Sequence, residues 1–336
     1  MRLGLLFTLL LIANVISAGA QQAPPPKTKP TPELGEEIDP GDVVRVNTTL
    51  VTVPVRVLDR NGKYVPDMLQ NEFQVFEDGV EQRLAHFAPV EAPFTIVLMI
   101  DISDSTESNL KEIKEAALAF MTQLRSNDEV VLITFDKRPV ALNQPTTDRT
   151  QLQTLINGLV PGSGTRLYDS LDTVFTRLIH QIKGRKAIVL FTDGVDIDSR
   201  NTAGQLLRRA EEIEGLIYSV RYNTYGAVRE KIRKANDSSP VTIFAAEKGS
   251  REEDYTAGRA FLNGLAIKTG AEMYETSDPR KLSEAFARIA EELRWQYSLG
   301  YYPTNPGNQG DKRKIKVRVH RPNLSVRARS SYIYLR

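Results

Sequence analysis

The chain has 336 residues, a formal net charge of +2, 26% charged and 41% apolar residues, and no cysteine. That length supports one large or two small domains with real cores, and the composition is that of a globular chain. Without a thiol it is not a disulfide-stapled scaffold, a zinc finger or a cysteine-nucleophile enzyme, and a net charge so near zero does not single out nucleic acid as a partner.

At the front, Arg2 precedes an apolar run over residues 3–16, and Ala18-Gly19-Ala20 supplies a small-x-small exit. Residues 1–20 therefore read as a signal peptide cleaved near Ala20. The run falls short of the roughly 20 apolar residues that span a bilayer. No later stretch is long and apolar enough, so the expectation is a mature chain without a transmembrane helix, exported to the periplasm, cell surface or medium. Residues 21–41 form a proline-rich linker that reads as an extended tether.

Residues 42–92 are strand-like. Val51, Val53, Val55 and Val57 alternate with other residues, a period of two. Asn61-Gly62 and Asp78-Gly79 mark turns, and Pro54 places its strand at an edge or bulge.

Residues 93–294 change character. Apolar runs at 94–100 (FTIVLMI), 129–135, 186–191 and 216–220 read as buried parallel strands. Helical spacing covers 110–124, 149–159, 167–182, 260–268 and 281–293. This alternation predicts an α/β fold with a doubly wound, mostly parallel sheet. The polar stretch 222–258 fits no strand or helix of that pattern, apart from a short strand at 241–245. It reads as a functional loop on the ligand-bearing rim, shaping partner choice without affecting metal affinity.

From 295 to 336 the period returns to two, with Ile315, Val317 and Val319 alternating with Lys314, Lys316 and Arg318. The last 26 residues hold nine Lys/Arg against one Asp. Such a tail either grips an anionic polymer or is a solvated strand face whose lysines discourage edge pairing, and the second reading is preferred. Each flanking β region, at roughly 45 residues, is too small to sustain a core alone. The expectation is that they pair into one β-sandwich, with the α/β domain inserted between them.

The first buried strand runs into Asp101-Ile102-Ser103-Asp104-Ser105. In an open α/β sheet, residues just beyond strand C-termini line the ligand crevice. A carboxylate and two hydroxyls at alternate positions of one turn suit a hard cation with oxygen ligands, Mg²⁺ or Mn²⁺. A glycine loop, PGSGT at 161–165, delivers the Thr165 hydroxyl just before a helix, and Asp193 follows the strand at 186–191. Taken singly, these residues read as helix caps and turn formers.

Taken together, Asp101, Ser103, Ser105, Thr165 and Asp193 resemble the metal-ion-dependent adhesion site of the von Willebrand factor type A domain, over residues 93–293. The flanks FQVFEDG (73–79) and LGYYP (299–303) resemble a bacterial exported subfamily. The resemblance implies a non-enzymatic, adhesion-type module. Those five residues would be its metal ligands, and the partner would be a protein presenting an Asp or Glu carboxylate, within an envelope complex. It implies no catalytic residues and no nucleic acid. Asp104 departs from the pattern, standing where the family usually carries glycine or another neutral residue. Two alternatives remain: a metal-dependent phosphohydrolase, and an envelope scaffold with a vestigial site. Asp196 and Asp198 read as loop or cap residues, and Glu107 as a first-turn residue of its helix. His86, His180 and His320 lie outside the crevice.

Overall fold

The computed structural model describes residues 50–237, 248–276, 278, 281–305 and 307–334. The signal peptide, the proline-rich linker and the strand expected at 241–245 lie outside these residues. Among them, no helix is long and apolar enough to cross a membrane.

The two flanking regions interleave. One sheet has the order β13-β1-β11-β4, built from β1 (Val51–Leu58), β4 (Leu84–Ala88), β11 (Gln296–Tyr301) and β13 (Ser325–Ala328). The other has the order β14-β12-β2-β3, from β2 (Phe73–Glu77), β3 (Val80–Gln82), β12 (Lys312–Val319) and β14 (Ser331–Ile333). Both sheets mix N- and C-terminal strands, with β1 antiparallel to β11 and β2 antiparallel to β12. Val53, Val55, Phe73, Val75, Tyr297, Leu299 and Ile315 share one core, so the two flanks form a single β unit. The Asp78-Gly79 turn joins β2 to β3 as its composition requires.

Pro54 is a correction. Its strand is interior in the sheet order, not an edge. The proline is tolerated because β13 pairs with only Val55–Leu58 of β1, leaving Pro54 a partner on one side alone.

Between the flanks lies a six-stranded sheet of order β10-β9-β8-β5-β6-β7. Its strands are β5 (Phe94–Asp101), β6 (Glu129–Phe135), β7 (Pro139–Ala141), β8 (Arg185–Thr192), β9 (Leu216–Tyr222) and β10 (Met273–Thr276). All neighbours are parallel except β7, which runs antiparallel to β6. The helices are α1 (Leu110–Gln123), α2 (Arg149–Asn157), α3 (Leu167–Thr173), α4 (Ala203–Ala210), α5 (Tyr225–Asp237), α6 (Glu252–Thr269) and α7 (Leu282–Arg294). Every residue of β5 is buried, because the sheet is covered on both faces. Ile96, Leu98 and Ile100 pack in one core with residues of α1, α2 and α7. Val97 and Met99 pack in the other with residues of α3, α4 and α6.

Two helical expectations change. The run expected over 167–182 is regular only to Thr173, then continues as a π turn to Leu178 and a 3₁₀ turn to Gln181. The stretch 222–258 is not devoid of core elements: α5 occupies its first half, and α6 begins at Glu252 rather than near 260.

Candidate metal site

The strands β5, β6, β8 and β9 are parallel, so their C-terminal ends share one rim. The chain leaves β5 for β6 on one side and later enters β8 on the other. The crevice between the β5 and β8 ends is therefore where the connections diverge, the usual ligand position in such sheets.

Asp101, the last residue of β5, is fully buried. Its Oδ1 accepts the Ser103 N–H at 3.0 Å, and its Oδ2 accepts the Thr192 hydroxyl at 2.6 Å. Ser103 Oγ lies 3.2 Å from Ser105 Oγ, and Ser105 donates to Asp193 Oδ2 at 2.8 Å. Hydrogen bonds thus join Asp101, Ser103, Ser105 and Asp193 across two strand ends. The Thr106 hydroxyl fastens the turn, donating to the carbonyls of Asp101 at 3.1 Å and Ser103 at 2.8 Å.

Thr165 reaches this rim through its loop. The Gly162 N–H donates to the Ile102 carbonyl at 2.7 Å, which ties 161–165 to the Asp101 turn. A Cβ at position 162 would stand 2.7 Å from an Asp136 carboxylate oxygen, and Gly164 has a φ of +69°; only glycine fits both constraints. Thr165 is buried, but among the described residues its hydroxyl makes no hydrogen bond to the other four. Asp104 is exposed, and its Oδ2 accepts the Gly164 N–H at 3.2 Å. The residue that departs from the motif therefore braces the loop carrying Thr165.

Residues 96–195 match the family model described as the von Willebrand factor type A domain. That segment is a von Willebrand factor type A domain. The chain is also 26% identical over 195 residues to an uncharacterized protein of Borreliella burgdorferi, an alignment covering 54% of each. The chain thus spans about half the length of the curated relative it matches. Among solved structures it is similar to a von Willebrand factor type A protein from Catenulispora acidiphila (11% identity, 87% of this chain and 75% of that one, TM-score 0.46). It is also similar to an aerotolerance-related membrane protein from Bacteroides fragilis (15% identity, 60% and 98%, TM-score 0.43). A third is proximal thread matrix protein 1 from mussel byssus, solved with a zinc-occupied metal-ion-dependent adhesion motif (13% identity, 64% and 49%, TM-score 0.46).

Within the type A domain, the donor set fits a divalent ion. Burial, reinforced by the Asp193 charge, pushes the Asp101 carboxyl up to about 7. Among the described residues, no Lys or Arg side chain pairs with either carboxylate. The buried Arg221 guanidinium donates to the Asp193 carbonyl at 3.1 Å instead. Two neighbouring buried carboxylates without a cation are costly, and a divalent ion supplies the missing charge. Among the described residues, no three of His, Cys, Asp and Glu gather as a metal cluster. Hydroxyls therefore make up the rest of the donor set.

The remaining candidates are placed elsewhere. Asp196 accepts the Tyr168 N–H at 3.2 Å and pairs with Lys248, while Asp198 pairs with Arg166. Glu107 begins a 3₁₀ turn ahead of α1. His86 and His180 line a cleft beside Phe94 and Arg185, at the opposite ends of β5 and β8. His320 follows β12.

Sequence reasoning missed Thr224. This buried residue, just past β9, donates at 2.6 Å to Asp193 Oδ2, the same oxygen that Ser105 engages. Its hydroxyl also lies 3.3 Å from that of Tyr255 on α6. A Cβ on Gly258 would sit 2.4 Å from the Gly194 carbonyl oxygen, so α6 presses directly on the turn after Asp193. The available signal was positional: Thr224 follows a predicted parallel strand at the same rim. Because the 222–258 stretch bonds Asp193 through Thr224 and packs Gly258 against Gly194, removing it should weaken metal binding, reversing the expectation from sequence. Thr224→Val should lower Mg²⁺ affinity about tenfold, as loss of a hydrogen bond that orients a ligand does, while Thr224→Ser retains it. Calorimetric titration of the three proteins checks this.

Proposed function

We propose that the type A domain holds Mg²⁺, or Mn²⁺, through Asp101, Ser103, Ser105, Thr165 and Asp193, and through it captures an acidic residue of a partner protein. Domains of this family act in protein–protein interactions. The observation carrying the reading is the Asp101–Ser103–Ser105–Asp193 hydrogen-bonded path, buried except at the half-buried Ser105, with no cationic side chain among the described residues at its carboxylates.

The ion, when bound, supplies a Lewis-acidic centre to which a carboxylate can coordinate. The protein's part is to hold the donors. Asp193 Oδ2 is already engaged by Ser105 and Thr224, and its Oδ1 accepts the Val195 N–H at 3.0 Å. Of about four lone-pair sites, roughly one remains on Asp193 and two on Asp101. Few direct anionic contacts leave the ion short of charge, which favours a carboxylate brought by a partner. Export of the mature chain and a place in an envelope complex belong to the same reading, resting on residues 1–20 and on the motifs flanking the domain.

Capture of a binding protein from the source organism's envelope fraction, with and without EDTA, tests the reading. Capture should be lost in EDTA and in Asp193→Ala. Capture and thermal stability both indifferent to EDTA would select the scaffold alternative. Phosphoester turnover that disappears in Asp101→Ala would select the phosphohydrolase.

The raised Asp101 carboxyl makes this pH-dependent. Between about 4 and 7 the folded, metal-free protein binds more protons than the unfolded chain, so its stability falls as pH rises through that window. A divalent ion competes with the same proton. Its stabilising effect should therefore be small near pH 5 and full above about pH 7, read as the difference in unfolding midpoint between Mg²⁺ and EDTA.

A further inference from the structure

The basic tail resolves into two groups. Lys312 pairs with Glu211 at 3.1 Å, Arg313 with Glu77 at 2.7 Å, and Arg321 with Asp67 at 2.9 Å and Glu72 at 2.6 Å. Arg327 pairs with Glu272, and the buried Arg329 donates to the Ile213 carbonyl at 2.9 Å. The side chains of Lys314, Lys316 and Arg318 make no ion pair among the described residues. They stand at alternate positions of β12, all exposed, on the face opposite the buried Ile315. Lys312 precedes them on that face and His320 follows, both exposed. Four successive outward positions are thus basic, spaced about 6.7 Å apart and about 20 Å end to end, and His320 stands next on the same face.

Edge protection explains only part of this row: β14 pairs with Lys312–Lys314 alone, so Lys316 and Arg318 lie beside an open stretch of β12, whereas Lys312 and Lys314 are flanked by a strand on that side. The outer strands of the sheet are β14 and β3. Charges that guard an edge belong on those strands, yet β14 has none and β3 only Glu81. Like charges two residues apart on one strand repel, and the open stretch of β12 accounts for that cost at Lys316 and Arg318 but not at Lys312 and Lys314.

We propose that the β12 face binds a linear acidic polysaccharide laid along the strand. The row is one strand wide. Ser331 flanks Lys314 on one side, and on the other Asp78 accepts the Lys314 N–H at 2.8 Å and pairs with Arg313; Phe76 stands beside Lys316 and Gln74 beside Arg318. Glu81 pairs with Phe76 on β3, two strands and about 10 Å away. A planar anionic membrane would press on that carboxylate, whereas a single chain along β12 does not reach it. Single-stranded nucleic acid calls for exposed aromatic platforms. The aromatic on this face, Phe76, is half-buried and lies 5.2 Å from the Arg318 guanidinium that covers it.

The full chain should bind immobilised heparin and polygalacturonate at about 50 mM salt and weaken steeply as salt rises. Lys314→Gln/Lys316→Gln/Arg318→Gln should weaken binding at least tenfold and flatten the slope of log affinity against log salt by about two to three. Lys314→Arg/Lys316→Arg should retain binding. Arg177→Gln/Lys183→Gln/Arg229→Gln, charge-matched and remote, should change it less than about twofold. Unfolding midpoints of all variants serve as the folding control, and EDTA should leave binding intact. The proposal is overturned if the β12 triple variant binds as wild type, if the remote triple loses as much, or if EDTA abolishes binding. Tighter binding to a single-stranded oligonucleotide or to anionic vesicles than to either polysaccharide overturns it as well.

Discussion

Asp193→Asn is expected to bind Mg²⁺ at least 100-fold more weakly than wild type, yet to be no less stable than wild type in EDTA at pH 8. The affinity loss follows from charge. A unit pair at about 4 Å and an effective dielectric near 20 interacts by about 4 kcal/mol, and a divalent ion roughly doubles that. A 100-fold loss, about 2.7 kcal/mol, is therefore a floor. The stability expectation has the opposite sign because the metal-free site is in conflict with itself. Asp101 and Asp193 are both buried, and Asp193 helps push the Asp101 carboxyl up to about 7. Removing one charge relieves that repulsion and offsets the loss of the Val195 N–H bond, which the asparagine NH2 cannot accept, while its amide oxygen still accepts from Ser105 and Thr224. Asp193→Ala shares the affinity loss but strands the buried Thr224 hydroxyl, at about 1–3 kcal/mol. Unfolding melts with and without Mg²⁺ separate the cases: wild type gains from the ion and Asp193→Asn does not. An Asp193→Asn protein that Mg²⁺ stabilises as fully as wild type would falsify the site.

Most of this site was legible because its residues sit where local sequence fixes position. Asp101 and Asp193 close apolar runs long enough to be read as buried strands, and parallel strands place their C-terminal ends together. What escaped was whatever depends on partners distant in the chain. β7 and β10 are short strands at the sheet edges, too brief to show a period and defined only by the neighbours they pair with. Pro54 reads as an edge or bulge residue because sequence cannot reveal that β13 stops one residue short of it. The helix α4 carried a readable signal: Thr202 and Gln205 form a capping box. The helix α5 did not, being a polar segment with few apolar residues. Thr224 and Asp104 show the same limit at the site itself. Their hydrogen bonds, to Asp193 and to Gly164, span 31 and 60 residues.

Arg56→Ala is expected to destabilise the protein by about 3–5 kcal/mol, the cost of leaving a buried charge without its partner. Arg56 on β1 is buried, pairs with the buried Glu292 of α7, and donates to the Gly270 carbonyl at 2.7 Å. Glu292 also accepts from the Tyr274 hydroxyl on β10. One ion pair thus ties the β-sandwich to the last helix and an edge strand of the type A domain. A second clamp lies nearby. Arg185, at the start of β8, donates to the carbonyls of Val90 and Leu293, both at 3.1 Å, and to that of Gln296. Both points where the chain passes between sandwich and inserted domain are therefore gripped by one guanidinium. The two clamps explain why the inserted domain and the sandwich should unfold as one unit although each has its own core. Glu292→Ala should cost as much as Arg56→Ala, whereas Arg56→Met/Glu292→Leu, which removes both charges at similar volume, should fall within about 1–2 kcal/mol of wild type. Urea unfolding followed by the Trp295 fluorescence and by far-ultraviolet circular dichroism decides it. The two signals should coincide in wild type and in the double variant, and separate into two transitions in Arg56→Ala. Coincident transitions and an unchanged midpoint in Arg56→Ala would mean that the pair contributes nothing to holding the domains together.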